Sequence, residues 1–245
     1  MNPEEYAQLF RLGETHWWFV GTRDVLFSSA YRDSLRGEPI LDVGCGSGLM
    51  MKRFTQVGPV FGIDSSSGAI EHCHSIGFSG LCRADAGSLP FRSGVFGLVI
   101  AADLLEHCGE DEVVLSELYR VTRPRGILLV SVPACGVLWS AHDVALHHKR
   151  RYSKAELIRK VESVGFTVGR LSHFNSLLFV PVAAVRLTLG KLRKRPADYR
   201  IRYHENLRLL GRILLGVMRV ERWLLGRCNL PFGLSMLLLA VKERE

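Results

Sequence analysis

The sequence predicts an α/β fold, a doubly wound and mostly parallel sheet with helices on both faces. Three observations predict it. Short β-like runs alternate with helical stretches between residues 39 and 132, the pattern of consecutive βαβ units. The first run passes straight into a glycine-rich turn, and acids stand at the ends of three successive runs, Asp42, Asp64 and Asp85, where open sheets of this kind bind their ligands. Length and composition agree: 245 residues, 47 % apolar and 23 % charged, suit one large domain and exclude a disordered, collagenous or disulfide-scaffolded chain.

Taken in order, the first 38 residues read as a helical cap around Thr15-His16-Trp17-Trp18-Phe19. A strand follows over 39–43, a helix over 47–57, a strand over 60–63 and a helix over 66–75. Next come a strand near Leu81, a buried strand over 96–101, a helix over 111–122, and a strand over 127–132 opened by the turn Pro124-Arg125-Gly126. Ser153 and Glu156 form a capping box for a helix through Ser163; Gly165 ends it, and 166–171 is a strand. Residues 175–232 break the alternation and are too long for a structureless loop. They are read as a helical insertion before a final strand over 234–241. The expected division is therefore a cap (1–38), a core (39–174 with 233–245) and a basic amphipathic insertion (175–232).

The longest apolar runs tested, 177–185 and 230–241, have nine and twelve residues, short of the roughly 20 that a spanning helix needs. The N-terminal MNPEEYAQLF is acidic and unlike a secretory signal, so a cytoplasmic location is expected. Six cysteines without a C-x-x-C pair read as reduced, buried packing residues. The net charge of +8 conceals an asymmetry. Residues 1–135 carry 11 Lys and Arg against 16 Asp and Glu, and residues 136–245 carry 21 against 8, so the two halves face different partners.

The strongest chemical signal is Ile40-Leu41-Asp42-Val43-Gly44-Cys45-Gly46-Ser47-Gly48. Glycines permit tight turning and close ligand approach, and free N–H groups at the following helix attract an anion. The spacing G-x-G-x-G, with an acid two residues earlier, differs from the G-x-G-x-x-G dinucleotide fingerprint. Asp64 lies 22 residues after Asp42, where a ribose-binding carboxylate belongs. Asp85 follows the third strand in Cys82-Arg83-Ala84-Asp85-Ala86-Gly87. Any one of these acids alone is equally well a helix or turn cap.

Together these segments resemble the class I S-adenosylmethionine-dependent methyltransferases over about residues 36–135. The stretch Asp103-Leu104-Leu105-Glu106-His107 and the turn Arg123-Pro124-Arg125-Gly126 add to the likeness, with Arg125 where a second glycine is common. The resemblance implies a Rossmann-like, seven-stranded sheet with a reversed last strand, the insertion lying before that strand, and S-adenosylmethionine as cofactor. It also implies cofactor-binding roles for Asp42, Gly44, Cys45, Gly46, Gly48, Asp64, Ser65, Asp85, Ala86 and Ala102. In this set Asp42 and the glycine loop hold the methionine end, Asp64 the ribose, and Asp85 with Ala86 the adenine. The wording THWWF with HKRRYSKAELIRKVESVGF resembles a type 11-like bacterial branch associated with lipid, quinone or cell-envelope carbohydrate pathways.

A general base matters if the nucleophile is a hydroxyl or an acidic carbon. His107 stands on the substrate side of the sheet, and His142, His147 and His148 fall in a dense His/Arg run; His107, His142 and His147 are the candidate bases. The plainer reading of that run, Asp143 included, is solvated or helix-capping contacts. His142, Asp143 and His147 follow no recognised ligand spacing, so no metal is expected.

Plotted at 100° per residue, the insertion places Arg208, Arg212, Arg219 and Arg222 within an arc of about 80°, with Leu210, Ile213, Leu214, Val217, Val220 and Leu224 opposite. With the basic run Lys191 to Arg195, this division suits a membrane surface contacted through 186–227; packing on the protein's own body or a second subunit is the alternative. The expected function is methyl transfer to an oxygen or carbon nucleophile of a small amphiphilic acceptor: a quinone precursor, isoprenoid or lipid-linked sugar. The expected place is the cytoplasm, peripheral at the inner face of the membrane. The alternatives are an RNA methyltransferase, disfavoured by the apolar face of the insertion, and a non-catalytic cofactor- or lipid-binding relative. A nicotinamide oxidoreductase is disfavoured by the glycine spacing.

Overall fold

The computed structural model describes residues 10–184 and 208–243. Its strands are β1 (Ile40–Val43), β2 (Val60–Asp64), β3 (Leu81–Arg83), β4 (Phe96–Ala102), β5 (Thr122–Pro133), β6 (Phe166–Phe174) and β7 (Ser235–Lys242). They form one sheet in the order β3-β2-β1-β4-β5-β7-β6, with β7 antiparallel to both neighbours and the pairs from β3 to β5 parallel. The expected parallel sheet with a reversed last strand is therefore present. Strand order turns back between β1 and β4, which opens a crevice at their carboxyl ends.

The helices are α1 (Trp17–Ala30), α2 (Leu49–Phe54), α3 (Ser67–Ser75), α4 (Asp111–Val121), α5 (Ala141–Ala145), α6 (Lys154–Ser163) and α7 (Arg208–Leu225). Alternation along the strands sends side chains to two cores. Leu41, Val43, Val99 and Val130 pack with Leu115 and Leu118 of α4 and Leu157 and Val161 of α6. Ile40, Leu98, Ile100 and Leu129 pack with Val25 and Leu26 of α1, Phe54 of α2 and Leu225 of α7. Burial on both faces explains why the central strands read as continuous apolar runs.

Three elements differ from the sequence expectation. The helix expected over 47–57 begins at Leu49, because Gly48, its N-cap, sits at φ +70° and cannot be a helical residue. β5 begins at Thr122, which pairs with Phe96, while Ile127 pairs with Leu98. The residues between bulge outward around Arg125, at φ +64°. Of the six cysteines expected to be buried, Cys45 and Cys73 are, Cys82, Cys108 and Cys135 are half-buried, and Cys228 is exposed, since it follows the end of α7.

α7 lies between β6 and β7 in the chain and docks on α1. Gly21 is the point of closest approach, since a Cβ there would lie 2.2 Å from Sδ and 2.9 Å from Cβ of Met218. The contacting face runs through Leu214, Met218, Glu221 and Leu225. It is turned roughly a fifth of a turn from the apolar arc expected from the sequence, so Leu210, Ile213 and Val220, expected on a covered side, are 44 %, 56 % and 54 % exposed. The reason is Glu221. It is 1 % exposed and its carboxylate accepts backbone N–H groups from Asn175, from Ser176 at 2.8 Å and from Leu177 at 3.0 Å. This cap on the turn after β6 sets the helix's rotation. The basic run Lys191 to Arg195 lies outside the described residues.

Two buried N–H groups and the part-buried Leu177 N–H lose their acceptor in Glu221→Ala. Thermal and denaturant unfolding should show a loss of about 3 to 5 kcal/mol, whereas an unchanged midpoint would contradict the anchoring role.

Candidate active site

β1 delivers Asp42 to the crevice and then turns sharply. Gly44, Gly46 and Gly48 have φ of +78°, +50° and +70°, a region that L side chains rarely adopt. Gly44 is also needed for space, because a Cβ would meet Leu104 Cδ1 at 3.0 Å. The Gly44 and Cys45 N–H groups donate to the Ile63 carbonyl at 2.8 and 2.9 Å, tying the turn to β2. Asp64, at the end of β2, holds it from the other side. Its Oδ2 accepts the Gly46 N–H at 3.0 Å and its Oδ1 the Ser66 N–H at 2.9 Å.

Asp42 and Asp64 are both buried. Burial, and then the Asp64 carboxylate beside it, push the Asp42 carboxyl up to about 7. Its Oδ2 has no hydrogen-bond partner. A buried, unpaired carboxyl at a ligand-accessible wall is the signature of a missing donor. The ammonium of an amino-acid tail supplies one, so the residues present fit the methionine end of S-adenosylmethionine. Asp85 is exposed, and its Oδ1 accepts the Gly87 N–H at 2.7 Å, which shapes the turn after β3.

These groups line one cleft of about 1850 Å³, larger than the 300 to 1,000 Å³ typical of a single small-ligand site, so there is room for a cofactor and a second substrate. Nine of the ten residues expected at a cofactor line it: Asp42, Gly44, Cys45, Gly46, Asp64, Ser65, Asp85, Ala86 and Ala102. Gly48 does not line the cleft. It lies against α3 instead, where a Cβ would come within 2.8 Å of Cys73 Sγ, so its reason is conformation and packing. Trp17, Trp18 and Phe19 form an aromatic wall, with His16 capping α1 by accepting the Trp18 N–H at Nδ1, 3.3 Å away.

At the opposite end stand the histidines. His107 and His142 line the cleft; His147 does not, and its neighbour His148 takes that place. His147 sits at φ +57°, and this left-handed residue reverses the chain after α5. Its carbonyl accepts a hydrogen bond from the His107 ring. Burial, and then the His148 ring beside it, lower His107 to about 4, so it is neutral at physiological pH.

His142, Asp143 and His147 do not assemble as a group. Asp143 is fully buried and committed elsewhere: Arg151 approaches it at 2.6 and 2.8 Å, Ser140 donates N–H and O–H, and His148 Nδ1 lies 3.2 Å away. Sequence reasoning passed over His148 and Glu106 as site groups. The signal for His148 was the Ser140/Asp143 capping box, which starts α5 and so sets the phase of the short helix and of the loop that follows it. Glu106 lies in a short 3₁₀ turn, Leu105–His107, that no local pattern announced.

Because Asp42 titrates near 7 in the folded chain and near 3.8 when free, the native state holds an extra proton between those values. Its stability therefore falls as pH rises through that window, and the full cost remains above 7. Asp42→Asn removes the ionisation. Its melting temperature should exceed that of the unsubstituted protein more at pH 8 than at pH 5, and a pH-independent difference would contradict the assignment.

Comparison with known proteins completes the picture. Residues 41–130 match a family model described as a methyltransferase domain. A probable S-adenosylmethionine-dependent methyltransferase of Mycolicibacterium smegmatis is 28 % identical over 161 residues, covering 64 % of this chain and 62 % of that protein. The ubiquinone biosynthesis O-methyltransferase of Azorhizobium caulinodans is 28 % identical over 160 residues, covering 54 % and 62 %. The chain thus spans somewhat under two thirds of the length of these curated relatives. A methyltransferase structure from Archaeoglobus fulgidus superposes with a TM-score of 0.60 at 18 % identity, covering 97 % of this chain and all of that one, which shows a shared fold. The sheet order, the glycine turn between two buried acids and the matched domain agree: residues 41–130 form a methyltransferase domain similar to those of the class I S-adenosylmethionine-dependent methyltransferases.

Proposed function

We propose that this protein transfers a methyl group from S-adenosylmethionine to an oxygen nucleophile of a small amphiphilic acceptor. The observation that carries the reading is the unpartnered Asp42 Oδ2 beside the Gly44–Gly46 turn and Asp64, in a cleft with space for a second substrate. The cofactor, when bound, supplies a sulfonium-activated methyl group. Asp42 and the turn hold its amino-acid tail, Asp64 its ribose, and Asp85 with Ala86 its adenine. Positioning of nucleophile and donor in line is worth about 7 to 11 kcal/mol of barrier, and the aromatic wall of Trp17, Trp18 and Phe19 keeps water out. His107, neutral above about pH 4, and His142 are the bases that face the acceptor end.

Oxygen is favoured over carbon by the O-methyltransferase named above, whose quinone pathway also suits an amphiphilic acceptor. A membrane surface as the source of that acceptor is supported by α7. Leu209, Ile213, Val220 and Trp223 stand 73 %, 56 %, 54 % and 55 % exposed along one side, with Arg212 and Arg219 exposed beside them. No helix among the described residues is long and apolar enough to cross a membrane, so this contact is peripheral.

In Asp64→Ala, S-adenosylhomocysteine affinity measured by calorimetry should drop roughly 30- to 1,000-fold, from the loss of charged hydrogen bonds; unchanged affinity would remove Asp64 from the site. With methyl-labelled cofactor, label should pass to a polyprenyl phenol held in anionic vesicles. Ile213→Glu should slow that transfer and spare a water-soluble, short-chain phenol. Label appearing in RNA alone would contradict the acceptor class.

A further inference from the structure

Three groups at the acceptor end are more closely matched to each other than proton transfer requires. One carboxylate oxygen of Glu106 and one ring nitrogen each of His107 and His148 lie within 4.8 Å of one another. Glu106 is 1 % exposed, and its Oε2 has no hydrogen-bond partner. Such a group is costly to keep unless something pairs with it. All three residues line the cleft.

The imidazoles are held in the manner of ligands. His148 Nδ1 lies 3.2 Å from Asp143 Oδ1, and Asp143 is ion-paired with Arg151. An ionised carboxylate only accepts, so Nδ1 carries a proton, and the neutral imidazole that a metal ion requires presents its lone pair at Nε2. His107 donates one ring N–H to the His147 carbonyl, which leaves its second nitrogen as an acceptor. The two rings meet edge to face, with centroids 4.9 Å apart and planes at 82°, so their free nitrogens are not stacked past one another. A histidine fixed at its far nitrogen by a carboxylate or carbonyl is the usual outer support of a metal-bound imidazole.

We propose that Glu106, His107 and His148 form a binding site for one divalent transition-metal ion, with open positions toward the cleft for an oxygen of the methyl acceptor. Two imidazole nitrogens and one carboxylate oxygen suit zinc, cobalt, iron or manganese better than magnesium or calcium, which prefer oxygen ligands. Binding of the ion gives the Glu106 Oε2 the partner it lacks. An acceptor hydroxyl bound there becomes more acidic; its O–H electron pair stays on oxygen, and the proton passes to His142, which also lines the cleft. The proposal thus moves His107 from proton acceptor to ligand. Metal spacing was not visible in the sequence because the ligands come from two separate loops, one after β4 and one after α5.

The ion can be read without any acceptor, so failure here is separable from failure of the methyl-transfer reading. Tag-free full-length protein, stripped with chelator, is titrated with Co²⁺ while visible absorption is followed, and S-adenosylhomocysteine binding is measured on the same samples as a check of folding. One Co²⁺ per chain, displaced by Zn²⁺, is expected. Glu106→Gln and His148→Ala should each weaken Co²⁺ binding by at least about tenfold in protein that still unfolds cooperatively. Absence of a stoichiometric Co²⁺ spectrum in protein that binds S-adenosylhomocysteine would overturn the proposal. So would Co²⁺ affinity unaltered in both variants.

Discussion

The architecture depends on two carboxylates held side by side out of water. Asp42 and Asp64 end neighbouring parallel strands whose register is set by the pairing of Ile40 with Val60 and Val43 with Ile63. That register leaves no freedom to separate them. The consequence is electrostatic: Asp64 braces the glycine turn through Gly46 and Ser66, and Asp42 is forced toward neutrality with an oxygen unpaired. A fold seeking only stability would replace Asp42, since an isolated buried carboxyl opposes folding. A ligand that brings a cation and hydroxyl groups turns the same pair into its binding energy, which ties the strain to function.

From this end the cleft runs to a second region built quite differently. At the cofactor end, polar groups come from strand termini and the turns that follow them. At the acceptor end they come from the 3₁₀ turn Leu105–His107 and the loop after α5, locked by the buried Asp143–Arg151 pair. Arg151 also donates to the Ala134 carbonyl at 2.8 Å, so this loop is fastened to the end of β5. The aromatic wall from α1 spans both, and α7, rotated by the Glu221 cap, presents an apolar and basic flank beside it. One molecule thus offers a rigid polar site at the strand termini and, apart from it, an exposed apolar flank on α7.

How much of this could be read from the residues follows the range of the forces involved. The glycine turn, the capping box of Ser153 and Glu156 and the alternation of strands are local, and each is legible within a dozen residues. Asp64 was legible because the βαβ unit has a nearly constant length. Gly48 matched the pattern but serves packing against Cys73, a contact between elements that spacing does not reveal. His147 and His148 differ by one position, and which of them faces the cleft is decided by the left-handed conformation at His147. The amphipathic helix was legible as a helix, yet its rotation was set by a single buried glutamate that a hydrophobic plot counts as polar.

The central claim, a class I cofactor site built around Asp42, Asp64 and the glycine turn, is tested most directly by calorimetric titration of the folded protein with S-adenosylhomocysteine, set against the reduced nicotinamide dinucleotide. The account predicts micromolar binding of the first, about −8 kcal/mol, and none of the second. Binding of the dinucleotide alone would contradict it.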